Sequence, residues 1–189
     1  MGSGSRTPTA AARRRVRRSR RGGRPIDEPF RVRRMTVRDE PTLVLHRRRM
    51  WEDIGGRSVA ELDAADGPYR RWLRSESAHR RIVGFLAEGA GGEVLGSGIV
   101  WLQPAQPRPG PLARLTMPYI MSMYTEPTAR KRGVASRLAW AMVEWATHAG
   151  YRRIFLHASQ FGRPVYAALG FEVGNEMRLD LPARLARRR

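Results

Sequence analysis

Cysteine is absent from this 189-residue chain. That excludes disulfides, thiolate metal sites and cysteine nucleophiles. Histidine is scarce, and His46, His79, His148 and His157 show no metal-ligand spacing such as HxxxH, so no metal is expected. Acidic residues are outnumbered, 17 against 36 basic ones, for a formal net charge of +19. No apolar run approaches the roughly 18 residues of a membrane span, so no membrane partner is expected. The charged N-terminus lacks an apolar stretch and does not read as a secretory leader, which makes a cytoplasmic location the expectation. What is present is 41% apolar content, enough over this length for one domain with a substantial core.

The charge is uneven. Residues 1–34 hold twelve arginines against Asp27 and Glu28, a net +10, and the last six residues, RLARRR, hold +4. The domain between them is only mildly basic. Residues 1–29 are rich in Arg, Gly, Ser and Pro with almost nothing to bury, and they read as a disordered extension. Three readings stand for it: a solvated extension without specific function, an arm making weak non-specific contacts with polyanions, or a stretch upstream of a true start at Met35.

Periodicity sets out the elements. FRVRRMTV (Phe30–Val37) favours a strand. Asp39, Glu40 and Pro41 suit a helix start, and Gly55-Gly56 ends that helix. Residues 58–77 read as a second helical region, broken near Gly67-Pro68. RIVGFLAE and EVLGSGIVWLQP flank GAGG as a hairpin, and PAQPRPGP is a loop. RLTMPYIMSMYT is a strand in which Pro118 signals an edge or an irregularity. Val134, Leu138, Met142, Trp145 and Ala149 share one helix face, capped by Gly150. RRIFLHAS reads as a short buried strand, RPVYAAL as a short helix and FEVGNEMRLDL as a closing strand. The order β-α-α-β-β-β-α-β-α-β predicts an α/β (α+β) mixed sheet with helices packed on it.

The chemistry concentrates where the best helix begins, in YTEPTARKRGVAS. The first N–H groups of a helix lack partners within it and carry the positive end of its dipole. Gly133 removes the Cβ that would block an approaching anion, and Ala135 nearly does so. Lys131 and Arg132 add charge, and Ser136 adds a hydroxyl. The stretch is built to hold a pyrophosphate, and it is not a Walker loop, because G-x-x-x-x-G-K-[ST] is absent.

Arg130, Gly133 and Ala135 match Q/R-x-x-G-x-G/A, and LHASQFGRPVYAALGF follows about thirty residues on with its Y-x-x-L-G-F. In these two segments, and in the MSMYTEP before them, the chain resembles the GCN5-related N-acetyltransferase (GNAT) superfamily over about Phe30 to Leu181. The resemblance implies a mostly antiparallel central sheet with a splayed strand pair and flanking helices. It implies a domain at residues 30–182, followed by a basic tail at 183–189. It also implies acetyl-CoA as donor, its pantetheine arm along Met123, Tyr124 and Thr125. The pyrophosphate would sit on Arg130, Lys131, Arg132, Gly133, Val134 and Ala135, with Ser136 nearby. Ser159 stands where many members place a cofactor-contacting Asn. The expected partners are a small-molecule amine and, as a homodimer, a second copy of the chain. Acetylation of a peptide or protein amine, and a non-catalytic CoA-binding or nucleic-acid module, are the alternatives.

Tyr166 matches the tyrosine that many members use to protonate the leaving thiolate; packing beside Phe171 is its other reading. The base is harder to name. Leu115–Thr125 contains no acid, and Ile154 stands where ribosomal-protein acetyltransferases carry a Glu. His157 shares strand parity with Ser159, Glu126 reads as a solvated loop residue, and water can serve. Trp51, Glu52, Tyr69, Trp72, Trp101 and Met121 fall where acceptor specificity arises, though most read as core.

Overall fold

The computed structural model describes residues 30–107 and 115–176. Its strands are β1 (Arg31–Arg34), β2 (Ile82–Glu88), β3 (Val94–Pro104), β4 (Thr116–Thr125) and β5 (Phe155–Leu156). They form one sheet in sequence order, antiparallel throughout except for the parallel β4–β5 pair. The helices are α1 (Glu40–Ile54), α2 (Val59–Ala78), α3 (Val134–His148) and α4 (Arg163–Ala168).

Side-chain alternation along β2 and β3 divides the core. Val83, Phe85 and Ala87 of β2 and Val100 of β3 face Val134, Leu138 and Met142 of α3. Ile99 faces the other way, into a cluster with Leu43 and Val44 of α1 and Tyr69 and Leu73 of α2. Helices therefore cover both faces of the sheet. Both central strands are buried almost end to end, which explains their continuous apolar runs.

One irregularity shapes the functional end. Ser97 pairs with Tyr124 and Ile99 with Met121, so Gly98 alone stands opposite Ser122 and Met123. The extra residue is a β-bulge in β4, and Ser122 takes a left-handed φ of 53° to make it. Gly98 leaves room here for the Met123 side chain, whose sulfur would lie 2.2 Å from an added Cβ and would have to shift. Pro118 marks the other anomaly. β4 pairs with β5 only at Tyr119 and Ile120, so Pro118 sits just outside that pairing, where a missing N–H costs no ladder bond.

Three expectations need correction. α2 runs unbroken through Gly67-Pro68. Leu62, Tyr69 and Leu73 are buried on both sides of the Gly-Pro pair, and this packing outweighs the lost backbone bond. β5 spans two residues and is half-exposed, because among the described residues it has only β4 beside it. Phe171–Glu176 is irregular, not strand, and the rest of that expected strand lies outside the described residues. So do the arginine-rich stretch 1–29 and the basic tail 183–189.

A start at Met35 does not suit the sheet. β1 precedes it, Phe30 and Val32 pack against the core, and the Arg33 guanidinium donates to both Asp39 oxygens at 2.8 Å. That pairing holds the Asp39 carboxyl down at about 2. A chain beginning at Met35 is expected to be less stable than one beginning at Phe30 by roughly 3 kcal/mol or more, from the lost apolar burial alone. Equilibrium urea denaturation checks this; equal midpoints would show β1 to be dispensable.

Candidate active site

Past Ile120 the β4 and β5 chains part. On its β3 side β4 remains paired, Tyr124 to Ser97 and Thr125 to Gly96. On the other side, the backbone of Met123–Thr125 has no strand partner among the described residues. That open edge forms one wall of a cavity of about 660 Å³, within the usual range of small-ligand sites.

The second wall is the start of α3. A 3₁₀ turn at Pro127–Ala129 brings the chain round, and Lys131 (φ 61°) and Gly133 (φ 81°) then adopt left-handed conformations. Gly133 is the N-cap and offers no side chain, and the first helical bond runs from Arg137 N–H to the Gly133 carbonyl. The N–H groups of Val134, Ala135 and Ser136 therefore have no partners within the helix. Val134 anchors this end, its side chain buried among Ala129, Leu138 and Met142. The lining includes Arg130, Lys131 (the only lysine of the chain), Gly133, Val134, Ala135 and Ser136.

The third wall comes from the second expected segment. Ser159, Gly162, Val165 and Tyr166 line the cavity. The Ser159 hydroxyl accepts from Gly162 N–H at 3.1 Å, which turns the chain into α4. Tyr166 is 9% exposed and sits edge-on to Phe171, ring centres 5.7 Å apart. Burial pushes its phenol up to about 12, so it keeps its proton at neutral pH.

The fold thus brings every expected cofactor-binding residue to one cavity except Arg132. That residue lies between the two left-handed positions and is not in the lining. Arg130 also differs from expectation. Its guanidinium donates to Asp53 at 2.5 Å and to the Thr125 carbonyl at 3.1 Å, so it ties the loop to α1 and β4. His157 is not in the lining; it contacts the Tyr119 hydroxyl and pairs with Glu176 at 3.1 Å. Trp51, Glu52, Tyr69, Trp72, Trp101 and Met121 do not line the cavity either. Tyr69, Trp72 and Trp101 instead pack in series, Trp72 stacked on Tyr69 and edge-on to Trp101.

Sequence reasoning missed one group altogether. His46 of α1 is 2% exposed, with Nδ1 2.8 Å from the Ser97 hydroxyl and Nε2 3.1 Å from Glu126. Arg49 donates to the same Glu126 oxygen, and the Tyr124 hydroxyl donates to the other at 3.4 Å. Glu126 is therefore not a solvated loop residue. It fastens the end of β4 to α1. A sequence signal did exist: His46 and Arg49 lie three apart, on the helix face that carries Leu43 and Met50.

A family model described as the acetyltransferase (GNAT) family matches residues 46–171. Among solved structures, a GCN5-related N-acetyltransferase from Ralstonia eutropha JMP134 is 26% identical, with a TM-score of 0.72, over 81% of this chain and 99% of that one. A predicted acetyltransferase with acetyl-CoA from Clostridium acetobutylicum is 27% identical, with a TM-score of 0.70, over 82% of this chain and 96% of that one. An aminoglycoside N-acetyltransferase in complex with CoA shares the fold at 18% identity and a TM-score of 0.62, over 85% and 99%. No curated protein matches the chain.

Burial and the Arg49 charge lower the proton affinity of His46 despite the neighbouring Glu126 carboxylate. The folded protein therefore holds His46 neutral at pH values where the unfolded chain, near 6.5, takes up a proton. The associated stability is complete above that value and is lost as pH falls below it. Thermal unfolding from pH 7.5 to 5 should show that decline. His46→Gln should flatten it, and an unchanged slope would remove His46 as its source.

Proposed function

The chain belongs to the acetyltransferase (GNAT) family, and on that premise we propose that it transfers an acetyl group from acetyl-CoA to the primary amine of a small molecule, by direct attack within a ternary complex. The observation that carries this reading is the convergence of three features on one cavity: an unpaired strand edge, an uncapped helix start and a protonated buried phenol. The catalytic domain in this reading is residues 30–182.

The residues present fit the donor. The uncapped N–H groups of Val134–Ser136 and the left-handed Gly133, where a side chain would crowd the approach, suit a pyrophosphate. Lys131 adds mobile positive charge at the rim. The open backbone of Met123–Thr125 suits an extended amide-containing arm, as any unpaired strand edge does. When bound, acetyl-CoA supplies an activated thioester. The protein's own contribution is orientation, exclusion of water by Met50, Met123, Phe161 and Val165 in the lining, and a proton held at Tyr166 Oη. We assign Tyr166 as the proton donor to the departing thiolate. Its hydroxyl has no hydrogen-bond partner among the described residues, so it is free to donate into the cavity.

Asp53 is the one acidic side chain of the described lining, and it is committed to Arg130. The base is accordingly assigned to water, since an amine carried from water into an apolar site loses its proton more readily.

Two substitutions test this assignment. Ala135→Glu adds a negative charge to the first turn of α3, which favours the helix itself but opposes a bound anion. Calorimetric titration should show acetyl-CoA affinity lost while the melting temperature holds; wild-type affinity would overturn the pyrophosphate site. Tyr166→Phe keeps the ring against Phe171 and removes only the proton. Donor affinity should barely change while turnover falls roughly 10²- to 10⁴-fold, as for other general acids. Near wild-type turnover at saturating amine would take Tyr166 out of the mechanism.

A further inference from the structure

Three consecutive arginines on α1 meet different fates. Arg48 is neutralised by Glu52, Asp63 and Asp66, with contacts of 3.0, 2.6 and 2.9 Å. Arg49 is held by Glu126. Arg47 has no acidic partner among the described residues, although it is half-buried. Its guanidinium lies 4.3 Å from the centre of the Tyr69 ring. A cation lying on a ring spends its flat face on that contact, and its N–H edges stay open. A planar fork of donors, half-desolvated and unpaired, fits a carboxylate or phosphate oxygen pair better than any other ligand.

Arg47 is outside the cavity lining but within one helical turn of it. Arg47 precedes Met50 by three residues and Ile54 by seven, which is one helix face, and both of those residues line the cavity. The Tyr69 hydroxyl beneath it donates to Ser122 Oγ at 3.4 Å, and Ser122 is the bulged residue beside cavity-lining Met123. Asp53 marks the anion-binding end of α1 through its pair with Arg130. Arg47 lies six residues back along the helix, about 9 Å at 1.5 Å per residue. It therefore stands beyond the lining on the side of the bulge, away from the start of α3. The Tyr69 contact holds it there.

We infer that the acceptor is a primary amine that also carries an anionic group, a carboxylate or a phosphate, and that Arg47 binds this group with Ser122 beside it. This deepens the proposed transferase reading and rests on it. Neutral and polycationic amines lack the group that the open guanidinium would bind.

The test is a library of primary amines in matched pairs, with acetyl-CoA as donor and thiol release as the readout. Amino acids stand beside their α-amides, and aminoalkyl phosphates beside the parent amino alcohols. The wild-type protein should favour the anionic member, and the arm in which it does so separates carboxylate from phosphate. In Arg47→Gln the ratio of kcat/KM within the favoured pairs should collapse roughly tenfold to hundredfold, the range for a lost charged hydrogen-bond pair. Arg47→Lys should restore part of it, because charge returns without the fork. Acetyl-CoA affinity by calorimetry and the melting temperature should hold in both variants. If amines are acetylated but the anionic members are not favoured, or Arg47→Gln leaves the ratio unchanged, the inference falls and the transferase reading stands. If the wild-type protein fails to bind acetyl-CoA, the transferase reading falls and takes the inference with it.

Discussion

The parting of β4 from β5 after two paired residues is the constraint on which the site depends. A strand inside a sheet normally has both edges satisfied. Here Met123–Thr125 keep one edge against β3 and leave the other facing a cavity. The bulge at Ser122 adds a residue to β4, and the local twist of such bulges increases the divergence. Opposite the bulge, Gly98 leaves space that the Met123 side chain takes. Three features of the chain thus serve one opening: a glycine, a serine at positive φ and a short fifth strand.

Around that opening the polar groups divide their work. One set braces. Arg130 ties the loop to α1 and β4, Glu126 gathers His46, Arg49 and Tyr124, and Ser97 anchors His46 from β3. These contacts hold the strand end, the loop and the helix in register without occupying the cavity. The other set is left open: the first N–H groups of α3, the Tyr166 hydroxyl and the Arg47 guanidinium. Unpaired groups are costly inside proteins unless water or a ligand satisfies them. The α3 start and Tyr166 line one cavity, and Arg47 lies a helical turn beyond its lining, on the side of the bulge.

Much of this was legible in the sequence, for local reasons. Element order follows from apolar periodicity and from Gly and Pro punctuation, and these are short-range signals. The uncapped, glycine-led start of α3 was legible because its parts are contiguous from Arg130 to Ser136. Tyr166 was legible because its surrounding segment, with Leu169, Gly170 and Phe171, resembles a known pattern. The sequence also carried the resemblance that the family match over residues 46–171 supports.

What only the tertiary structure decided concerns residues far apart in the chain. His46 and Glu126 are eighty positions apart, and no local pattern announces that they meet. The same holds for Tyr69 with Ser122 and for Asp53 with Arg130. Pro118 signalled an irregularity in β4, yet the bulge formed four residues on. A bulge is set by the register of two strands together, not by either alone. Gly67-Pro68 signalled a break that α2 does not have, because burial of Tyr69 and Leu73 against the sheet outweighs a local preference. Residue types and their local order determined the elements and the uncapped turn that opens α3. Packing between elements determined which charges are satisfied and which, like Arg47, remain open to a ligand.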